Sequence, residues 1–417
     1  MPAVNPEILA WARESAGLTL QDAVSKVGIR DARGVTAVDR LAALERGDDE
    51  PSRSTLVNMA KQYRRPLLAF YLTAPPRQSD LGADFRSLPV ERSLQTDALV
   101  EALVRNVRSR QYVVRAALEA EDEAETVPWV GWISRSTRES QWLRDELQSQ
   151  SGRVSLERRC VQGLERVLGP LLDVEAFYAE ASADQAFALL RAAVEEAGVF
   201  VLLKGDLGTH HSAMDVEVFR GFAIADEIAP FVVINDNDSR AAWSFTLLHE
   251  VTHLLLGQTG ISGAHAGTAI EQLCNNVASE WLLPSHVLAE LAIDPTSNSS
   301  ALEHRIDNFV RTKNISRTMV AYRLLKLGSI DGQMFDRLRS AFRDQWRQHR
   351  DRQRTKARES KGGPNYFTVR RHRVGNALLS FARRMNASGA LSTTKTARLL
   401  GVRPAHVGKM VNIPQLR

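Results

Sequence analysis

In the first 73 residues, hydrophobic positions recur at helical spacing in four short segments. These segments are PEILAWARESAG, TLQDAVSKVG, AVDRLAALERG and SRSTLVNMAKQYRRP. Gly17 ends the first segment, and Thr19 stands where a helix N-cap belongs. Short helices that are separated by glycine and capped by serine or threonine are typical of a helix-turn-helix domain. We therefore predict such a domain over residues 1–75.

The pattern stays helical through residues 76–190 and then changes to strands. A proline-containing connector, TAPPRQSDLGADFRSLP, leads into alternating apolar and charged residues, which predict a helical scaffold over 76–190. From residue 198, short β-branched and aromatic runs predict a small sheet from VFVLLK, FRGFAIA and PFVVIND. An apolar helix, a glycine-rich loop (GQTGISGAHAG) and the helix AIEQLCNNVASEWLL follow. We predict an α+β domain over 191–342. His249, Glu250 and His253 in the apolar helix form an HExxH motif, which makes this domain zincin-like.

The remaining sequence is strongly basic. Residues 343–365 read as a charged linker or exposed helix, and residues 366–417 as a basic helical segment. The predicted fold class is therefore a multidomain, mainly α protein with one small central sheet.

The apolar helix carries the candidate chemistry. In SFTLLHEVTHLLLGQ, His249 and His253 are four residues apart, so both imidazoles face one side of the helix and can reach one Zn²⁺. Glu250 lies about 100° around the helix, where the general base of a zinc peptidase belongs. The alternative is a buried helix that carries two histidines. Burying two imidazoles and a carboxylate is costly unless they are paired or bound to metal, which favours zinc.

A catalytic zinc needs a third protein ligand. Thr259 stands where the metzincin pattern requires histidine, so that subclass is excluded. We favour Glu271, at the start of the next helix, as the third ligand, and His265, in the glycine-rich loop, is its competitor. One turn beyond Glu271, Asn275 either orients a ligand or is an ordinary hydrogen-bonded helix residue.

Composition limits the class of protein. No uninterrupted apolar segment is long enough to span a bilayer, and no secretory signal is visible at the N-terminus, so we expect a cytoplasmic protein without a membrane partner. The two cysteines, Cys160 and Cys274, are too far apart in sequence for a CxxC motif. We expect both to be reduced core residues.

The net charge of +5 hides an asymmetry along the chain. Residues 343–417 contain 18 Lys and Arg but only three Asp and Glu, and from residue 366 onward there is no acid. This composition suits nucleic acid, and equally a basic extension packed on an acidic body of the same chain. In the first case Arg398, Arg403 and Lys409 are candidates for phosphate contacts. In the N-terminal domain, Arg40 is the one good candidate for a base-edge contact.

Several segments together resemble a known family. FTLLHEVTHLLLG followed by EQLCNNVASEWLLP resembles the ImmA/IrrE family of zinc metallopeptidases, and ISRTMVAYRLLKLG is similar to that family's closing segment. The resemblance covers about residues 190–330. It implies His249, His253 and Glu271 as zinc ligands and Glu250 as the base. Two positions depart from the family pattern, Thr252 in place of a small residue and Cys274 where alanine is common.

The N-terminal segments LERGDDEPSRSTL and DFRSLP resemble the XRE-type helix-turn-helix domain that is fused to such peptidases. IRDARGVTAVDR lengthens the turn region relative to that pattern. Together the resemblances imply a cytoplasmic zinc endopeptidase that cleaves an XRE-type transcriptional repressor. The alternative is a DNA-binding regulator with a structural or sensory zinc site. A third hypothesis is one partner of a toxin–antitoxin or phage-control pair.

Two further expectations concern catalysis. Tyr322 or Arg323 is a candidate for stabilising the oxyanion, although an arginine in AYRLLKLG also fits a salt-bridged helix residue. We expect an extended peptide substrate to pair with an edge strand, either PFVVIND or its neighbour.

Overall fold

The computed structural model describes residues 4–32, 34–76, 94–135, 146–208, 212–262, 269–293, 299–359 and 365–412. The chain forms two compact units. The first comprises Met1–Val107 and Asp206–Met214, and the second comprises Arg108–Gly205 and Asp215–Arg417. Within the described ranges, no helix has both the length and the apolar character needed to cross a membrane.

The first unit begins with four short α-helices and a 3-10 helix. They are α1 (Pro6–Glu14), α2 (Leu20–Val27), α3 (Ala37–Arg46), α4 (Arg53–Gln62) and the 3-10 helix Leu67–Tyr71. Thr19 and Asp22 form a reciprocal capping box at the start of α2, and Thr36 and Ser52 cap α3 and α4 through their hydroxyls. The four predicted helices are therefore confirmed, because their start signals are local to each segment. DNA binding by this domain stays a prediction.

These helices enclose their own core. Leu41, Met59 and Phe70 are fully buried, and Ile8 and Leu9 pack with them from α1. Gly28 and Gly47, both with positive φ, end α2 and α3 in the left-handed conformation that glycine adopts without strain.

From residue 94 onward the described chain is mainly helical, with four strands between residues 200 and 262. The helices are α5 (Leu94–Ala120), α6 (Trp132–Arg135), α7 (Gln150–Leu168), α8 (Val174–Ala179), α9 (Ala183–Glu196), α10 (Arg240–Leu255), α11 (Ala269–Leu282), α12 (Ser285–Leu288), α13 (Ser299–Val310), α14 (Arg317–Lys326), α15 (Gly332–Glu359), α16 (Tyr366–Val374), α17 (Asn376–Ala387), α18 (Thr393–Leu400) and α19 (Val407–Val411). Short 3-10 helices cover Ala289–Leu291 and Pro404–His406.

The sheet has four strands in the order β1-β3-β2-β4. The strands are β1 (Phe200–Leu203), β2 (Gly221–Ile224), β3 (Phe231–Ile234) and β4 (Gly260–Ser262). β1 pairs with β3 in parallel, whereas β2 pairs antiparallel with both β3 and β4. The three predicted strands are confirmed.

The structure corrects two expectations about this sheet. The segment PFVVIND contains β3, which lies between β1 and β2, and its neighbour β2 is paired on both sides over residues 221–223. Neither β3 nor β2 is an edge strand, because each pairs with a strand on both sides, whereas β1, the other neighbour of β3, lies at one edge of the described sheet. The segment GQTGISGAHAG, predicted as a loop, contributes β4 at the edge of the described sheet. Its three residues are too few for an alternating pattern to appear in the sequence.

Helix α10 lies at the centre of the second unit. It packs against α9, α11, β2 and β3, and its residues from Thr246 to Leu255 are all buried. This enclosure explains why the helix is apolar on every side. It also explains why its polar side chains need partners within the protein.

The C-terminal helices belong to this unit. α16 and α17 pack against β1, and α18 and α19 complete a small helical group with a buried core around Leu378, Met385 and Leu400. α15 runs without a break across the predicted boundary at residues 342 and 343. The GGP segment at 362–364 and the DFRSLP connector lie outside the described residues.

Candidate metal centre

Helix α10 brings two imidazoles together in the interior. His249 and His253 are one turn apart, with only 4% and 2% of their surfaces exposed. Their Nε2 atoms are 3.2 Å apart. The i, i+4 spacing therefore directs one nitrogen of each ring to the same point, as expected for ligands on one helix face.

Glu271, in the first turn of α11, faces both rings. Its Oε2 is 3.2 Å from Nε2 of His249, and its Oε1 is 3.3 Å from Nε2 of His253. α10 and α11 pack closely along this region. The competing residue, His265, lies outside the described residues.

The spacing of these side chains fits a zinc ion. Zinc binds imidazole nitrogen and carboxylate oxygen at about 2.0–2.2 Å in tetrahedral geometry, which separates neighbouring ligand atoms by about 3.3 Å. The three closest separations here are 3.2, 3.2 and 3.3 Å. Two imidazoles and one carboxylate are also the donor set of a class of catalytic zinc sites.

Asn275 fixes the orientation of one ring. Its Oδ1 lies 2.9 Å from Nδ1 of His249. Because an amide oxygen only accepts hydrogen bonds, Nδ1 donates the proton and the lone pair is on Nε2, the nitrogen that faces His253 and Glu271. This is the arrangement that keeps a histidine ready to bind metal.

Glu250 is fully buried between α10 and the sheet. A Cβ added to Gly221 of β2 would lie 2.7 Å from Glu250 Oε1 and 2.8 Å from Thr246 Cγ2. Only glycine therefore leaves room for the Glu250 carboxylate at this position of the strand. The role of Gly221 was not predicted, since nothing in the strand pattern distinguishes it from a turn glycine.

Cys274 was predicted only as a core residue, but it lies close to both histidines. Its sulfur and one ligand atom from each of His249 and His253 all lie within 4.8 Å of one another. Cys274 and the other cysteine, Cys160, are both buried and are not joined in a disulfide, as expected. The available signal was the i, i+3 spacing from Glu271, which puts Cys274 on the helix face that Glu271 and Asn275 share.

The electrostatics of the site favour a cation. Burial raises the pKa of Glu271, but the hydrogen bonds and charges of His249 and His253 outweigh burial and hold that pKa well below its ordinary range. Burial lowers the pKa of His249, but Glu271 and then Glu250 outweigh it, so that the pKa lies above its ordinary value. Without metal, the site thus attracts positive charge in its interior.

Tyr322 and Arg323 lie on α14 and contact residues of α11 and α12 other than the proposed ligands. The Tyr322 hydroxyl donates to Oδ1 of Asn276 at 2.5 Å, and burial raises the pKa of Tyr322 to about 12. Arg323 is buried, forms an ion pair with Glu280 and donates to Ser285 Oγ at 3.0 Å. For Arg323 these are the contacts of a salt-bridged helix residue.

Three of the four candidate nucleic-acid residues are exposed. Arg398, Arg403 and Lys409 lie on the surface of the C-terminal helices, and the Lys409 ammonium is 5.5 Å from the ring centre of Phe367. Arg40 is partly buried, and its guanidinium donates to the backbone carbonyl of Arg30, which uses part of its hydrogen-bonding capacity within the N-terminal helices.

Residues 195–325 match the peptidase M78 family model, described as the IrrE N-terminal-like domain. No curated protein and no solved structure matches the chain. The family match covers under a third of the sequence and includes α10, α11 and the sheet. It supports the resemblance to the ImmA/IrrE family and a metallopeptidase activity. The N-terminal and C-terminal helices lie outside the matched region.

Proposed function

We propose that the chain is a zinc-dependent endopeptidase that cleaves a partner protein. The observation that carries this proposal is the convergence of His249, His253 and Glu271, whose ligand atoms are 3.2–3.3 Å apart in the interior of the matched domain. Those separations are close to the edge length of a tetrahedral zinc site, with one carboxylate oxygen of Glu271 facing each ring. The buried Glu250 beside them supplies the general base that hydrolysis needs.

The proposed mechanism assigns one task to each side chain. His249, His253 and Glu271 would hold the zinc ion, which would supply Lewis acidity towards the scissile carbonyl and the attacking water. Glu250 accepts the proton of the attacking water and returns it to the leaving amine. Asn275 holds the His249 ring in the tautomer that presents Nε2. The fully buried surroundings of Glu250 keep bulk water away from the proton transfer.

The substrate strand is proposed to be β4. Within the described residues β4 lies at one edge of the sheet, and it pairs with β2, where Gly221 borders the Glu250 carboxylate. An extended peptide that adds to the outer side of β4 would lie about 4.8 Å from that strand and would form main-chain hydrogen bonds with it. Such pairing holds the peptide backbone without demanding a particular sequence.

The proposed partner is an XRE-type repressor, on the strength of the family resemblance and of the four-helix N-terminal domain. An endopeptidase that binds backbone through a strand needs another source of specificity. A separate helical domain in the same chain is suited to that role. By the same resemblance, we place the protein in the cytoplasm.

The test compares full-length wild type with Glu250→Gln, and uses Glu165→Gln, an exposed residue of α7, as the matched control. Each protein is analysed for zinc by mass spectrometry and is incubated with a proteome-derived peptide library whose cleavage products are sequenced. We expect one zinc per chain in all three. Cleavage by Glu250→Gln should fall about 10²- to 10⁴-fold, the usual contribution of a general base.

Equal cleavage by Glu250→Gln would refute the proposed mechanism. Wild type without stoichiometric zinc would refute the metal centre itself. Co-expression with a candidate XRE-type repressor, followed by immunoblotting, then tests the partner separately from the chemistry.

A second candidate function is DNA-binding regulation with a structural or sensory zinc. The observation that favours it is the exposure of Arg398, Arg403 and Lys409 on a segment that has no acidic residue from 366 onward. Such basic side chains bind phosphates and position a protein on DNA without reading its sequence. A sensory role within a toxin–antitoxin or phage-control pair is compatible with this candidate.

A further inference from the structure

The thiol of Cys274 belongs to the same constellation as the proposed ligands, but the peptidase mechanism leaves it without a role. Cys274 lies on α11, one turn after Glu271, and is fully buried. Glu271, Cys274 and Asn275 occupy positions i, i+3 and i+4 and so share one helix face. Glu271 and Asn275 both contact His249, which shows that this face meets the histidine rings.

The Cys274 sulfur lies near the distance from the histidine nitrogens that a shared zinc ion would require. The sulfur and one ligand atom of each histidine lie within 4.8 Å of one another. A zinc ion that holds a thiolate at about 2.3 Å and imidazole at about 2.0–2.1 Å separates sulfur from nitrogen by about 3.6 Å. A shift of about 1 Å therefore completes the site, and rotation of one side-chain bond moves a cysteine sulfur that far.

The other cysteine shows what a purely structural thiol looks like in this protein. Cys160 on α7 is fully buried in the hydrophobic core, and burial raises the pKa of its thiol to about 12. Cys274 has the same burial but lies next to two imidazoles and a carboxylate, which together make a binding site for a soft divalent metal.

We propose that Cys274 is the fourth protein ligand of the zinc, so that the resting centre consists of His249, His253, Glu271 and Cys274. This inference rests on the proposed function and adds its regulation. Four protein ligands close a tetrahedral site, as in structural zinc centres, whereas catalysis needs an open position. The resting protein is then a latent peptidase, and cleavage requires the thiolate to leave the metal.

The experiment is zinc-edge X-ray absorption on full-length wild type, Cys274→Ala, Cys274→Ser and, as the matched control, Cys160→Ala. We expect a sulfur neighbour at about 2.3 Å in wild type and in Cys160→Ala. Both Cys274 variants should lose it and retain only nitrogen and oxygen neighbours. After cobalt substitution, wild type and Cys160→Ala should show sulfur-to-cobalt charge-transfer absorption, and the two Cys274 variants should not. Peptide-library cleavage should rise above wild type in Cys274→Ala and stay unchanged in Cys160→Ala.

The outcomes separate the two proposals. If zinc is bound in wild type with nitrogen and oxygen neighbours alone, Cys274 is not a ligand and the peptidase proposal stands. If sulfur is seen but persists in both Cys274 variants, the assignment to Cys274 is wrong. If no variant and no wild-type sample binds zinc, the proposed metal centre fails together with the inference.

Discussion

The imidazole of His249 is held from two sides. Asn275 accepts a hydrogen bond from Nδ1 at 2.9 Å, and Glu271 lies 3.2 Å from Nε2. The ring therefore has little freedom to rotate or to change tautomer. Preorganisation of this kind determines how much of the binding free energy of a metal is spent on ordering its ligands.

We predict that Asn275→Ala weakens zinc binding about 10- to 100-fold, because removing the hydrogen-bond partner frees the His249 ring and its tautomer. Competition with a chromophoric chelator measures the dissociation constant. Gln272→Ala, an exposed neighbour on the same helix, is the control and should bind zinc like wild type. An unchanged affinity in Asn275→Ala would show that the ring is held by packing alone.

At the scale of elements, a buried ion pair within α9 lies at the contact between α9 and the C-terminal helices. Arg191 and Glu195 lie 3.2 Å apart with their side chains almost wholly enclosed. Glu195 Oε2 also accepts hydrogen bonds from the backbone N–H groups of Asn376 and Ala377, at 3.1 and 3.2 Å, and so caps the start of α17. Beside this contact, Phe381 of α17 packs edge-on against Phe200 of β1.

We predict that Glu195→Ala destabilises the fold by about 3–5 kcal/mol, because it leaves the Arg191 guanidinium buried without its carboxylate and removes the cap of α17. The free energy of unfolding in urea measures this loss. Glu196→Ala, at the exposed neighbouring position, should change it by less than about 0.5 kcal/mol. Similar values for both variants would show that the C-terminal helices are held by apolar packing alone.

At the scale of the whole molecule, the basic tail (residues 366–417) contains both paired and exposed basic side chains. Arg373 pairs with Asp236 at 2.6 Å, and Arg384 pairs with Glu123, so part of the tail's charge is used within the second unit. Arg398 and Arg403 lie exposed on the C-terminal helices. Packing on acidic residues therefore accounts for Arg373 and Arg384, whereas nucleic-acid contact by Arg398 and Arg403 stays a prediction.

We predict that the full-length protein binds duplex DNA at low salt. The double variant Arg398→Glu/Arg403→Glu should weaken this binding whatever the DNA sequence. The slope of log affinity against log salt should fall by about 1.8, since each lost phosphate contact contributes about 0.9. Gel shifts over a range of salt concentrations measure it. Arg153→Glu/Arg158→Glu on α7 makes the same change in net charge at exposed positions and should have little effect. Equal losses in both double variants would indicate a net-charge effect and no site on the tail.

The sequence alone determined the features whose causes are local. Thr19, Thr36 and Ser52 start helices because their hydroxyls reach backbone N–H groups three residues away. The three predicted strands followed from short runs of β-branched and aromatic residues, and the two histidines share a face because a helix repeats every 3.6 residues.

Only the tertiary structure decided which residues from other elements meet those histidines. The packing of α11 on α10 set Glu271, Asn275 and Cys274 against the rings. Strand pairing put β3 inside the sheet and β4 at its edge, and an ion pair with Glu280 engaged Arg323. These contacts join residues that are distant in sequence, and no periodicity within one segment encodes them. A sequence specifies such contacts only through the packing of the whole fold.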